Sequence, residues 1–275
     1  MGLMTLSLPD IGFGTYRLIG SDGAEAIASA IDAGYRLIDS AYSYENEGTV
    51  GEGVRRAVDS GVPRDSLIIT SKLPGRYQES GRARKRIEES IFRLGVDHLD
   101  LLLIHWPNPE QDHYVEAWQQ LIEARNDGLV HHIGVSNFLP EHIERLEDET
   151  GELPVVNQIE LHPYFPQVEQ VDYHREKGIL TEAWSPLGRG KDILEDPVIT
   201  EIAEARGVGA GEIVLSWHHA RGVTPIPRSA NPERQRSNLA AVELELSEGE
   251  IEAITGLGRA DGRLNGQNPA THEEL

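Results

Sequence analysis

The chain has 275 residues, 39% of them hydrophobic and none of them cysteine; this suits a single α/β barrel and excludes disulfides and thiol catalysis. Asp and Glu number 46 against 25 Lys and Arg, a formal net charge of −21 spread along the chain, which argues against a nucleic-acid partner because phosphate binding needs a basic face. No run approaches the ~18 apolar residues of a membrane span, and no signal peptide is evident, so a cytoplasmic protein with no membrane partner is expected.

Taken in order, Met4 to Leu8 and Ile11 to Thr15 flank Pro9-Asp10 and predict a small N-terminal β-hairpin whose second arm continues as a first strand. Ala24 to Ala33 reads as a helix capped by Gly34. Tyr35 to Ile38 reads as a short buried strand ending at Asp39. Tyr44 follows in a loop, and a helix from near Asn46 carries Val50, Val54, Ala57 and Val58 on one face. A third strand, Leu67 to Ser71, ends at Lys72, and a fourth, Leu99 to Ile104, ends at His105. Helices are expected over Arg82 to Leu94 and around Tyr114, Trp118, Leu121 and Ile122. A fifth strand, Val130 to Val135, leads into Ser136-Asn137 and a helix from Pro140; a sixth, Val155 to Ile159, carries Asn157 and Gln158. A seventh, Gly178 to Ala183, precedes Trp184-Ser-Pro-Leu-Gly-Arg-Gly190. Two helical segments then lead to an eighth, Gly222 to Ile226. Asn231 to Asn238 and Ser247 to Ile254 read as helices, and the rest is polar and Gly-rich.

Strand onsets near 12, 35, 67, 100, 131, 155, 179 and 223 step mostly by one βα unit. Eight such units predict a (β/α)8 TIM barrel, one domain over 1–275, with 257–275 as a tail over the barrel mouth. Active sites of such barrels lie at the C-terminal ends of the strands. Asp39, Lys72 and His105 end strands two, three and four, and Tyr44 lies just beyond strand two, so four polar groups converge on one mouth. Carbonyl reduction by hydride transfer uses such a set. Hydride arriving at carbon leaves an alkoxide that needs a proton. A phenol with a pKa of ~10 can give it if a neighbouring cation favours the phenolate. Tyr44 is thus the expected general acid, Lys72 its tuner, Asp39 the anchor of Lys72 and His105 an orienting hydrogen-bond donor.

With these motifs the chain resembles the aldo-keto reductases over nearly its whole length. The resemblance rests on Gly34-Tyr-Arg-x-x-Asp39-x-Ala-x-x-Tyr44-x-Asn-Glu-x-x-Val-Gly51, Thr70-Ser-Lys72, Asp100-Leu-x-x-Ile-His105-Trp-Pro107, Gly134-Val-Ser-Asn-Phe138 and Pro225-Ile-Pro-Arg-Ser229. It implies a barrel that binds NADP(H) without a Rossmann domain, and no Gly-x-Gly-x-x-Gly follows any strand. It further implies that Ser136, Asn137 and Gln158 hold the nicotinamide carboxamide and that Trp184 stacks on the ring. Ser185, Leu187 and the Gly188-Arg-Gly190 loop would follow the pyrophosphate. Arg228, Ser229, Arg234 and Asn238 would take the adenosine end, with Arg228 where the family usually has Lys and Ser237 where it often has an acid or Gln. Tyr16, Leu18, Trp106 and residues near Leu264 are candidate substrate-pocket walls, and short loops there suggest small or varied carbonyl compounds.

Three functions fit: an NADPH-dependent aldehyde or ketone reductase, a nucleotide-binding redox-sensing module of the same superfamily, and a sugar or polyol dehydrogenase. The lack of a docking segment favours the enzyme, expected to act as a monomer on a small-molecule substrate. His131-His132 and His218-His219 lack carboxylates at convincing spacing, so no metal is expected. Only Lys72, Lys85, Lys177 and Lys191 are lysines. Sparse Lys beside a large negative charge points to a halophilic protein.

Overall fold

Alternation along each strand decides what fills the barrel. Side chains of a strand point to opposite faces in turn. In β4 (Leu99–Ile104), Leu102 and Ile104 join the large core under the helices, while Leu101 and Leu103 face a second, smaller cluster with Val156. In β3 (Ile68–Leu73), Ile69 and Leu73 face the helices, and Ile68 packs with the inner cluster. The same parity turns Lys72 inward. It explains why β3 runs beyond the Ser71 end expected from sequence: the Lys72 side chain is wholly buried inside.

The computed structural model describes residues 6–189 and 191–275. Its other strands are β1 (Phe13–Gly14), β2 (Leu37–Asp39), β5 (Val130–Ser136), β6 (Val156–Glu160), β7 (Leu180–Trp184) and β8 (Val223–Pro225). They pair in parallel in the order β1 to β8. The sheet closes where the Gly12 and Gly14 amides donate to the carbonyls of Pro225 (2.9 Å) and Pro227 (3.0 Å). Neither proline can donate in return. Gly134 in β5 is required by the crowded interior, because a Cβ there would lie 2.7 Å from Leu103 Cδ2.

Helices α1 (Gly20–Ala33), α2 (Glu47–Asp59), α3 (Ser80–Leu94), α4 (Tyr114–Asn126), α5 (Pro140–Thr150) and α6 (Val168–Lys177) follow β1 to β6. Then α7 (Lys191–Leu194), α8 (Pro197–Arg206) and α9 (Ala210–Ala220) fill the long step between β7 and β8, and α10 (Pro232–Ala240) and α11 (Glu248–Thr255) come after β8. Gly34 caps α1 at φ 126° with its amide on the Ala30 and Ile31 carbonyls, as the sequence led one to expect. The expected hairpin differs. Its first arm starts at Met4, outside the described residues, and Leu6 to Leu8 are not strand. Pro9 offers no N–H to a ladder, and Leu6 and Leu8 pack instead against the inner cluster of Leu101, Leu103 and Val156. The interior therefore grades from apolar at the N-terminal ends of the strands to polar at the C-terminal ends.

Candidate active site

The polar layer at the C-terminal ends begins with an ion pair. Lys72 Nζ lies 2.6 and 2.8 Å from the two oxygens of Asp39 and donates to the Ser40 carbonyl at 2.8 Å. Asp39 and Thr70 are register partners of β2 and β3, so inward parity carries the carboxylate and the ammonium to the same height. After β2 a short 3-10 turn, Tyr42–Tyr44, brings Tyr44 back over this pair. Lys72 Nζ lies 5.1 Å from the centre of its ring. His105 follows β4, its ring 5.9 Å from that of Tyr44. All four residues expected from sequence therefore meet.

Burial pushes the Tyr44 phenol above its ordinary value, and the Lys72 charge pulls the other way without reversing it. The sequence led one to expect a lowered value; enclosure outweighs the cation, and the phenol keeps its proton at neutral pH. For Lys72, burial acts downward, but Asp39, Tyr44 and Glu182 together hold the ammonium above its usual range. Glu182, pointing inward from β7, was not singled out in the sequence. Gln158 Nε2 bridges the two acids, donating to Asp39 Oδ1 at 2.9 Å and to Glu182 Oε2 at 2.8 Å. Burial, and then the Asp39 charge, push Glu182 up to about 7. An acid inside the strand run Gly178 to Ala183 was the available signal.

These residues floor a cleft of about 750 Å³. Tyr16, Trp106, Ser136, Asn137, Gln158, Trp184, Ser185, Leu187 and Arg228 line it, as do Tyr44, Asp39 and His105. Asn137 is fixed by its neighbours: its amide donates to the His105 carbonyl at 3.0 Å, and its Oδ1 accepts from Trp184 Nε1 at 2.7 Å. Asn137 and Ser185 hold φ of 62° and 49°, a left-handed conformation that for such residues marks a locally constrained backbone. Leu18 does not line the cleft; it turns into the large core, 3% exposed, where burying its apolar side chain is favourable. Ser229, Arg234 and Asn238 also lie outside the lining. Ser229 and Asn231 shape the start of α10, where Asn231 Oδ1 accepts from the Glu233 and Arg234 amides. Gly190 lies outside the described residues.

Arg17, Arg189 and Arg228 line the cleft and are exposed. None pairs with an Asp or Glu among the described residues, in a chain of net charge −21. Three unneutralised guanidinium groups beside amide, hydroxyl and indole side chains suit a long polyanionic nucleotide such as NADPH.

The tail supplies a second residue with no earlier signal. Glu274 is partly buried at the rim, with 14% of its side chain exposed. Its Oε1 lies 2.8 Å from His105 Nδ1 and its Oε2 accepts from the Gly75 amide at 2.9 Å. Burial would push this acid up, but His105, the Gly75 amide and Ser43 hold it down to about 2.

At the opposite ends of the strands His131 does meet a carboxylate, contrary to the spacing argument. His98, Asp100 and His131 bring their ligand atoms within 4.8 Å of one another. The two imidazoles stack at 3.9 Å and 27°, so their lone pairs run side by side instead of converging. Asp100 Oδ2 is taken by Arg64 at 2.7 Å and the Ile69 amide at 2.9 Å. His218 is buried with both ring nitrogens on backbone carbonyls, Val214 and Leu161.

Residues 10–259 match the Aldo/keto reductase family. The 2,5-diketo-D-gluconic acid reductase B of a Corynebacterium species is 48% identical over 264 residues, covering 96% of this chain and 94% of that protein. The methylglyoxal reductase DkgA of Salmonella typhimurium is 40% identical over 263 residues, 95% of this chain and 93% of that protein. A crystal structure of a Gox0644 variant in complex with NADPH superposes with a TM-score of 0.90 at 39% identity, covering 97% of this chain and 95% of that one. Eight parallel strands with helices between them, four polar groups at the strand ends and similarity along almost the entire length lead to one conclusion: the chain belongs to the aldo/keto reductase family.

Proposed function

We propose that this chain is an NADPH-dependent oxidoreductase that reduces small aldehydes and ketones to alcohols, with Tyr44 as the general acid. The observation that carries the reading is the Tyr44 phenol at the floor of the cleft with Lys72 and Asp39 behind it. NADPH, when bound, supplies the hydride. Ser136, Asn137, Gln158 and Trp184 would hold the nicotinamide. Ser185, Leu187 and Arg189 would follow the pyrophosphate, and Arg228, Ser229, Arg234 and Asn238 would take the adenosine end. Tyr44 gives its proton to the carbonyl oxygen as the carbon is reduced. Lys72 stabilises the phenolate left behind, and Asp39 keeps the ammonium in place. His105 donates to the same oxygen and orients it. In the reverse direction Tyr44 takes the proton back.

Tyr16 and Trp106 are the pocket walls in this reading. The activities named for the relatives, reduction of a diketo acid and of methylglyoxal, point to small, oxidised carbonyl compounds as the first substrates to test. The 275 residues would act as one barrel domain, with 257–275 folded over the mouth. In this reading the chain works as a monomer in the cytoplasm, and its net charge of −21 with only four lysines supports adaptation to concentrated salt. The test is Tyr44→Phe, assayed by NADPH oxidation with methylglyoxal. Turnover should fall by about 10²–10⁴-fold, the usual worth of a positioned acid, with NADPH affinity retained. Wild-type turnover in that variant would sink the mechanism.

A further inference from the structure

Glu274 sits in a place built for an anion. Four separate segments meet at its carboxylate. Ser43, from the turn after β2, donates to Oε1 at 2.8 Å. Gly75, after β3, gives its amide to Oε2 at 2.9 Å. His105, after β4, brings Nδ1 to 2.8 Å from Oε1. The tail carries the carboxylate itself, and its backbone is clamped from below. The Glu274 amide donates to Asn108 Oδ1 at 3.1 Å, and Asn108 Nδ2 donates to the Glu274 carbonyl at 3.2 Å. Gly75 must be glycine for this junction, since a Cβ would stand 2.2 Å from the Asn108 amide nitrogen. Glu273 adds a second tie, accepting from the Glu110 amide at 2.7 Å and from Gln111 at 3.1 Å. Trp106 packs against His272 at 4.3 Å.

We propose that Glu274 is a positioning residue for carbonyl reduction: its carboxylate fixes the ring of His105 through Nδ1, so that the other nitrogen serves the substrate oxygen. This rests on the reading above, in which His105 is the orienting donor. A carboxylate can only accept hydrogen bonds. Nδ1 therefore carries its proton when it faces Glu274. For Nε2 to donate as well, the ring must be the imidazolium, and Glu274 balances that charge inside the pocket. The 2.8 Å approach lies off the N–H axis, so the Nδ1 proton is not yet well aligned. Catalytic hydrogen bonds often tighten only with reactants in place.

The experiment compares Glu274→Gln, Glu274→Ala and Tyr44→Phe with the parent protein, at fixed salt and pH. Three quantities are read: kcat and KM for methylglyoxal, NADPH affinity by quenching of Trp fluorescence, and Tm. Glu274→Gln should lose kcat by about 10- to 100-fold with NADPH affinity changed less than about twofold. Glu274→Ala should lose as much and regain kcat when acetate or formate is added, because a small carboxylate can enter the vacated hole; equal KCl should restore nothing. Two results overturn the inference while Tyr44→Phe stays inactive. One is parent-like kcat in Glu274→Gln. The other is a loss in Glu274→Ala that tracks Tm and NADPH affinity and is blind to acetate, the mark of a structural strap. Should Tyr44→Phe remain active, the proposed mechanism fails instead.

Discussion

The two ends of the barrel are each organised around a carboxylate and a cation, yet they do opposite work. At the N-terminal ends, Asp100 pairs with Arg64 at 2.7 Å, with 14% and 23% of the side chains exposed. Its second contact, the Ile69 amide, ties β4 to β3. Stacked His98 and His131 lie beside it without converging. At the mouth, Asp39 and Lys72 are 5% and 0% exposed. Around them lie a phenol and an acid both pushed above their ordinary values by burial. Water screens the first pair and relieves its charges, so the pair is a fastener. The second pair has only protein to answer it, so each proton gained or lost there changes the energy of the whole layer. Exposure, not residue type, separates these two ion pairs.

The largest expected effect breaks both pairs in the same way. Lys72→Met leaves Asp39 buried beside Glu182 with Gln158 as its remaining side-chain donor. Removing one partner of a buried pair costs about 3–5 kcal/mol, and turnover should fall by about 10² or more. Arg64→Met should cost less, because water reaches both partners and the Ile69 amide still answers Asp100, and should leave turnover unchanged. Urea unfolding and NADPH oxidation of the two variants decide it. Equal losses of stability would erase the distinction between the ends.

Glu182 sharpens the comparison through pH. Its folded-state value, about 7, lies above the 4.5 of a free Glu, with burial the main cause and Asp39 next. Between those values the folded protein binds more protons than the unfolded chain. The Glu182 contribution to stability therefore falls as pH rises from about 4 to about 7 and is level above that. The separation corresponds to about 3 kcal/mol. Glu182→Gln keeps an acceptor for Gln158 and removes the titration. It should be more stable than the parent by about that amount at pH 8, with the difference closing toward pH 4. Parallel stability curves for the two proteins across this range would show that Glu182 does not titrate as inferred.

Much of this was legible in the sequence because barrel geometry is periodic. Strand onsets and inward parity suffice to bring Asp39, Lys72 and His105 to one height, and Tyr44 follows one turn later. The cleft residues Ser136, Asn137, Gln158 and Trp184 sit at strand ends for the same reason. What was not legible depends on distance in space without a rhythm in sequence. Glu274 reaches His105 from a polar tail that carries no period, and Leu18 turns inward by a loop conformation that no spacing encodes. Tyr44 was misjudged in direction because burial is a property of the assembled cleft, whereas its cation was visible beside Thr70-Ser71. The first arm of the hairpin failed for a local reason: Leu6 and Leu8 gain more by plugging the barrel than a two-stranded ribbon would provide.

Cofactor choice tests the rim of the mouth against the saturated far end. Arg64 has a carboxylate to answer it; Arg228, exposed on the cleft wall, has none among the described residues. An Arg fork left free at a cleft suits the 2′-phosphate that NADPH has and NADH lacks. A charged hydrogen bond contributes about 1.5–3 kcal/mol, so Arg228→Ala should weaken NADPH by about 10- to 150-fold and NADH barely. Titration of both cofactors by Trp fluorescence at constant salt separates the cases. Equal losses would mean that Arg228 shapes the cleft without reading the phosphate.

Salt should have the smallest effect, and it acts on the two ends unequally. At 0.1 M the Debye length is about 10 Å, and at 1 M about 3 Å. The Asp39–Lys72 pair is too deep for mobile ions to reach. The Asp100–Arg64 pair is open enough to be weakened. Against that small loss stands the repulsion among 46 acidic residues with 25 bases to offset them, which the same ions relieve. The balance favours the folded state, so Tm should rise by a few degrees between dilute buffer and 1 M KCl, by about 1 kcal/mol or so of exposed charge interactions. Arg64→Met should then differ from the parent less in 1 M KCl than in dilute buffer, while the deficit of Lys72→Met should be the same in both. A Tm that is flat or falls with KCl would mean that the acidic composition serves something other than concentrated salt. A salt-dependent deficit in Lys72→Met would mean that the Asp39–Lys72 pair is not sealed from water as its burial indicates.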